Sequence, residues 1–127
     1  MIQHLVIFGA TGDVAKRYIF PALAHMFAKR RLPTECTITG VGRRNWTTPQ
    51  FQEHVSELLG KHRPSLPPGS RQGILSLLEY SRVEDLSDAG QIANIFKRKA
   101  GSTLLYLGLP SQMFSSVLEA LAPLTFS

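Results

Sequence analysis

At 127 residues the chain has room for one domain, and 43% apolar against 18% charged residues is the balance of a folded unit, not a disordered one. The 14 lysines and arginines exceed the 9 acids, a formal charge of +5 that favours anionic partners such as nucleic acid, anionic lipid or phosphorylated small molecules. One cysteine, Cys36, excludes an internal disulfide and a CxxC metal knuckle, and no apolar run approaches the roughly 20 residues of a membrane helix.

The opening Met1-Ile2-Gln3-His4 lacks the charged segment and cleavage site of a secretory signal, so a cytoplasmic, reducing setting without a membrane partner is expected. His4-Leu5-Val6-Ile7-Phe8, closed by Gly9, is too short for a helix and rich in β-branched residues. It reads as a strand buried on both faces. A helical pattern then runs from about Asp13 to Arg31, with Val14, Tyr18, Leu23, Met26 and Phe27 at apolar positions. Pro21 lies inside it and is expected to kink or break it, and Pro33 marks the exit. Cys36 to Val41 is the second predicted strand, followed by Gly42-Arg43-Arg44.

Thr48-Pro49 predicts a helix start, with a hydroxyl at the cap and a proline where its missing N–H costs nothing. Phe51, Val55, Leu58 and Leu59 share one face of that helix, which runs to about Gly60. Lys61 to Ser70 holds three prolines without periodicity and reads as a loop. Between Ile74 and Val83 the pattern is ambiguous, and a strand is placed near Leu78 to Val83. Ser87 or Asp88 caps a helix through Ile92, Ile95 and Phe96 that Gly101 ends. Thr103 to Leu109 is the clearest strand, and Pro110-Ser111 opens a last helix carrying Met113, Val117, Leu118 and Leu121.

Strands alternating with helices predict an α/β fold, a Rossmann-like doubly wound parallel sheet with helices on both faces. Ligands of such sheets sit at the carboxyl ends of the strands, where Gly9, Arg43 and Pro110 fall. The basic runs Lys29-Arg30-Arg31 and Lys97-Arg98-Lys99 lie at helix ends, where cations suit the macrodipole, and no aromatic residues interleave with them. They read as solvated helix ends, and no nucleic-acid partner is expected.

Gly9-Ala10-Thr11-Gly12-Asp13-Val14-Ala15 follows a strand and opens a helix. Its glycines permit a tight turn and close approach of backbone N–H groups to an anion, and the helix adds its positive end, so a pyrophosphate is the natural guest. Ala15 is small enough for close helix–sheet packing. At the end of the second strand an NAD site wants an acid on the ribose hydroxyls, whereas this chain has Arg43-Arg44 and none. A guanidinium binds a 2′-phosphate through a charge-assisted fork, so NADP is favoured. His4, His25, His54 and His62 share no ligand spacing and read as packing or surface residues, and no catalytic or metal-binding residue is assigned.

Gly9 through Arg17, followed by Phe20-Pro21-Ala22-Leu23, closely resembles the amino-terminal motif of the glucose-6-phosphate dehydrogenases, G-A-[ST]-G-D-L-A-[KR]-[KR]-K and then aromatic-Pro-[AST]. Gly40-Val41-Gly42-Arg43 is similar to the family's G-[YV]-[AG]-R, and Tyr106-Leu107-Gly108-Leu109-Pro110 to its Y-L-[AS]-[LVT]-P. The three motifs occur in the family's order across the whole chain. The resemblance implies an NADP-dependent oxidoreductase of glucose metabolism that converts glucose 6-phosphate to 6-phosphoglucono-1,5-lactone and opens the pentose phosphate pathway. It implies that Gly9, Ala10, Thr11, Gly12, Asp13 and Val14 form the pyrophosphate loop, that Arg43 meets the 2′-phosphate, and that Leu107, Leu109 and Pro110 line the coenzyme cleft.

Two departures stand out. Tyr18 replaces the lysine that follows Lys16-Arg17 in the family. The family's E-K-P motif and its R-I-D-H-Y segment, which carries the catalytic histidine and substrate contacts, are not among these 127 residues. Residues 1–127 are therefore expected to form the NADP-binding domain, binding coenzyme without turnover. Glucose 6-phosphate would be a partner of the full-length family enzyme only, and any oligomer is expected to form through the remainder. The rival reading is a non-catalytic NADP sensor of the short-chain-reductase type, although such proteins usually carry a third glycine where Ala15 stands.

Overall fold

The computed structural model describes residues 2–32, 35–86, 88–96, 102–108 and 118–119. Strands β1 (Ile2–Phe8), β2 (Thr37–Gly42), β3 (Leu78–Arg82) and β4 (Ser102–Leu107) form one parallel sheet in the order β3-β2-β1-β4. The chain steps outward from β1 to β3 and returns to lay β4 on the other side of β1. The reversal of strand order therefore falls at the carboxyl end of β1, beside Gly9.

Side chains alternate across a strand, and the apolar run in β1 serves both faces. Leu5 and Ile7 point into a core shared with Ile38 and Leu78 and closed by helices α1 (Phe20–Ala28), α2 (Thr48–His62) and α3 (Pro68–Ser76). Val6 and Phe8 point the opposite way, into a core with Val41, Val83, and Ile92 and Ile95 of α4 (Ala89–Phe96). The expected helices on both faces are present: among the described residues, three on one side and one on the other.

Pro21 neither breaks the first helix nor simply kinks it. Residues 13–28 are continuously helical, but Ala15–Ile19 form a π-helical turn in which the Phe20 N–H donates to the Ala15 carbonyl. The wide turn absorbs the proline, whose ring would collide with a preceding carbonyl in a straight α-helix. The helix stops at Ala28, three residues before the expected Arg31. Arg30 donates its N–H to the Phe27 carbonyl and Arg31 to that of Met26, while Arg30 takes φ 57°. That is a Schellman stop with arginine where glycine is the usual residue. Arg30→Gly is accordingly expected to stabilise the domain by about 1 kcal/mol in urea denaturation, since a left-handed residue with a Cβ is strained. No gain would mean that the side chain compensates.

Further boundaries differ from expectation. β2 begins at Thr37, one residue later than predicted, and extends through Gly42, one residue further. Helix α2 is capped by Thr47, not Thr48: Thr47 and Gln50 form a reciprocal capping box, and the Thr48 hydroxyl instead accepts from the Tyr80 N–H at 3.1 Å. The helix continues to His62, and the segment expected to be a loop to Ser70 contains the start of α3. Pro67 caps α3 and Pro68 is its first residue, positions where no N–H is required, and Arg71 closes the first turn onto the Pro67 carbonyl at 3.0 Å. Asp88 caps α4, accepting from the Gly90 and Gln91 N–H groups at 2.9 and 3.2 Å. β4 is present from Ser102. Gly101, expected to end the helix before β4, lies outside the described residues; of the helix expected after Pro110, Leu118 and Glu119 are described and are helical, while Met113, Val117 and Leu121 lie outside the described residues.

Candidate functional site

The turn after β1 is held from beneath. Gly9 has φ 78°, a conformation that favours glycine. In that turn both the Gly9 and Ala10 N–H groups donate to the Val41 carbonyl at 3.0 Å, and Gly12 donates to the Gly9 carbonyl, also at 3.0 Å. The N–H groups of Gly9, Ala10 and Gly12 are thus spent on building the loop. The first N–H that the helix satisfies with a loop carbonyl is that of Lys16, on Gly12 at 3.1 Å. Among the described residues, no backbone acceptor takes the N–H groups of Thr11, Asp13, Val14 or Ala15. Those four, together with the Thr11 hydroxyl, are the donors left to an anion at the helix start.

Above this loop lies a crevice of ≈ 210 Å³ lined by Gly9, Thr11, Gly12, Val41, Gly42, Arg43, Val83 and Leu86. Val41, Val83 and Leu86 give it apolar walls suited to a flat ring, while the loop and Arg43 supply its polar end. Gly42 keeps it open: a Cβ there would sit 2.8 Å from the Tyr80 hydroxyl and 3.1 Å from the Thr11 methyl.

The end of β2 is clamped by β3. The Tyr80 hydroxyl donates to the Arg44 carbonyl at 2.8 Å, and Arg82 Nε donates to the Arg43 carbonyl at 3.2 Å. Arg43 is exposed, and no carboxylate among the described residues pairs with it. Arg44 has a different occupation, its guanidinium carbon lying 5.1 Å from the centre of the Trp46 ring. Trp46 in turn packs against His54 at 4.8 Å. Burial holds the His54 pKa below its usual value of 6.5, and the Arg44 and Lys16 charges push it the same way against a weaker opposing pull from Glu57. His54 is neutral near pH 7, and two cations crowd the neighbourhood.

Gly9, Ala10, Thr11, Gly12 and Arg43 converge on the crevice or its floor. Ala10 is buried beneath the loop, and Ala15 is buried in the core as its size suggested. Asp13 is turned along the helix to Arg17 at 3.0 Å, and Val14 is 47% exposed on the surface beside the loop. Tyr18, in place of the family's lysine, is 66% exposed. Leu107 ends β4 next to Phe8 in register, while Leu109 and Pro110 lie outside the described residues. Sequence reasoning missed Arg82, Glu84, Val83 and Leu86. The available signal was the rule already applied to β1 and β2, since residues at and just past the end of β3 reach the same corner of the sheet. The histidines are dispersed: His4 meets the Thr37 hydroxyl at 2.6 Å, and His25 meets Arg63 at 3.0 Å.

A parallel sheet in this order, with a glycine turn entering a helix at the strand-order reversal and cations at the end of the second strand, defines a Rossmann-type dinucleotide-binding domain. Residues 6–126 match the family model described as "Glucose-6-phosphate dehydrogenase, NAD binding domain". The chain belongs to the glucose-6-phosphate dehydrogenase family, as its nicotinamide dinucleotide-binding domain. It is 31% identical to glucose-6-phosphate 1-dehydrogenase of Chlamydia pneumoniae over 126 residues, covering 92% of this chain and 25% of that protein. It is 29% identical to the Bacillus subtilis enzyme over 133 residues, again 92% and 25%. The crystal structure of the Mycobacterium avium enzyme superposes with a TM-score of 0.87 at 27% identity, covering 96% of this chain and 27% of that one. The chain spans about a quarter of the length of the curated relatives it matches.

Proposed function

We propose that this chain is the NADP-binding domain of a cytoplasmic glucose-6-phosphate 1-dehydrogenase, the first enzyme of the pentose phosphate pathway. The observation that carries the coenzyme choice is the exposed Arg43 guanidinium at the end of β2, with no carboxylate partner among the described residues. The residues present fit the coenzyme. Unclaimed N–H groups of Thr11, Asp13, Val14 and Ala15 would take the pyrophosphate, the apolar crevice the adenine, and Arg43 the 2′-phosphate. Bound NADP supplies the hydride acceptor. The chain's own part is to hold and orient it at the switch point of the sheet.

Oxidation of glucose 6-phosphate also needs a base for the C1 hydroxyl proton. In this reading the base and the sugar-phosphate contacts belong to the rest of the family protein, through which any oligomer would form. The isolated chain is expected to bind 2′,5′-ADP more tightly than 5′-ADP by calorimetric titration and to produce no NADPH with glucose 6-phosphate. Equal affinities would remove the NADP assignment. Turnover that a mutation in this chain abolishes would show that it carries its own base.

A further inference from the structure

Building on the reading of Arg43 as a phosphate contact, we propose that Arg82 is the second cation for the 2′-phosphate, and that Glu84 tempers it and so sets the balance between NADP and NAD. Neither residue belongs to the motifs at the ends of β1 and β2. Arg82 is the last residue of β3 and stands beside Gly42 in the parallel register, one strand spacing from Arg43. Its Nε donates to the Arg43 carbonyl at 3.2 Å, so its guanidinium is held at the backbone of the residue that meets the phosphate. Arg43, Arg44, Arg82 and Glu84 together line one open bowl at this corner of the sheet. A phosphate monoester carries close to two negative charges and three acceptor oxygens, which one guanidinium does not satisfy. Arg44 is drawn onto Trp46, and Arg82 is the other guanidinium on hand.

Glu84 explains why Arg82 is not simply free. Its carboxylate pairs with Arg82 at 2.6 Å, with the two side chains 63% and 41% exposed. An ion pair that exposed is weak and yields readily to a phosphate. The Glu84 N–H donates to Gln91 of α4 at 3.0 Å, which keeps the carboxylate at the rim. A carboxylate there repels a 2′-phosphate but is neutral or helpful toward a bare ribose diol. The pair therefore narrows the preference for NADP that the two arginines would otherwise impose.

The test is calorimetric titration of 2′,5′-ADP and 5′-ADP into the full chain and its Glu84→Gln and Arg82→Ala variants, both at exposed sites that leave the core intact. Glu84→Gln is expected to tighten 2′,5′-ADP by about two- to fivefold, and Arg82→Ala to weaken it by about tenfold, with 5′-ADP nearly unchanged in both. A merely structural role would move both ligands together. If wild type itself binds the two ligands alike, the reading of Arg43 has failed. If wild type discriminates and either variant keeps its ratio, Arg82 and Glu84 do not tune the coenzyme choice and the proposal is overturned.

Discussion

Arg43→Ala is expected to weaken 2′,5′-ADP by about 10- to 150-fold and to leave 5′-ADP almost untouched. A charge-assisted contact to a phosphate contributes on the order of 1.5–3 kcal/mol, which is that range in affinity. The upper part requires a guanidinium with no competing partner. Arg43 meets that condition among the described residues, whereas Arg82 is already paired with Glu84 and Arg44 lies against Trp46. Arg44→Ala should therefore have the smaller effect, showing mostly as a change in Trp46 fluorescence, which is unambiguous because the chain has a single tryptophan. A loss that Arg43→Ala shares equally between the two ligands would mean that the arginine supports the loop and does not contact the phosphate.

Phe51→Ala is expected to cost the domain about 3–5 kcal/mol in urea or thermal unfolding, the range for deleting a buried aromatic ring. Phe51 is fully buried, edge-on to Phe20 at 5.7 Å and 69°, and packs against Tyr80 at 5.1 Å. Its ring lies directly over Gly40, where an added Cβ would come within 2.4 Å of it. Helix α2 can approach β2 this closely only because position 40 has no side chain. Gly40→Ala should therefore overpack the same contact, at about 1–3 kcal/mol. Combining it with Phe51→Leu should cost less than the sum of the two single changes, because the residues share one space. A stability loss below about 1 kcal/mol for Phe51→Ala would show that the neighbouring rings refill the gap. Since Tyr80 also clamps the Arg44 carbonyl, Phe51→Ala should loosen 2′,5′-ADP as well as unfold more easily.

Much of the fold was legible along the chain because the signals are local. The run from Leu5 to Phe8 has apolar side chains at every position, so alternation alone sends it into both cores. Gly9 at a strand end, followed by a helical pattern, marks the turn whatever surrounds it. Pro21 announced an irregular helix, but whether a proline breaks, kinks or widens a helix depends on what the next turn packs against. In this chain Phe20 and Leu23 are buried in the core, and the helix resumes at once. The Lys61–Ser70 segment misled for the opposite reason. Two adjacent prolines read as loop, yet they suit the first positions of a helix, and Leu66, Ile74 and Leu75 are buried against partners far away in sequence.

The site divides in the same way. Residue order along the chain was sufficient for the loop, for Arg43 and for the absence of an acid after β2, since each is carried by a short motif at a strand end. Only the tertiary structure could show that the Gly9 and Ala10 N–H groups are consumed by the Val41 carbonyl. It alone could show that Thr48 bonds Tyr80 across 32 residues, and that Arg82, with Glu84 beside it, joins Arg43 across 39. Local propensity and spacing encode which element a residue occupies and which face it takes. Which donors remain free, and which guanidinium bonds which carbonyl, is decided by parallel strand pairing, whose partners lie too far apart in sequence for any local pattern to record.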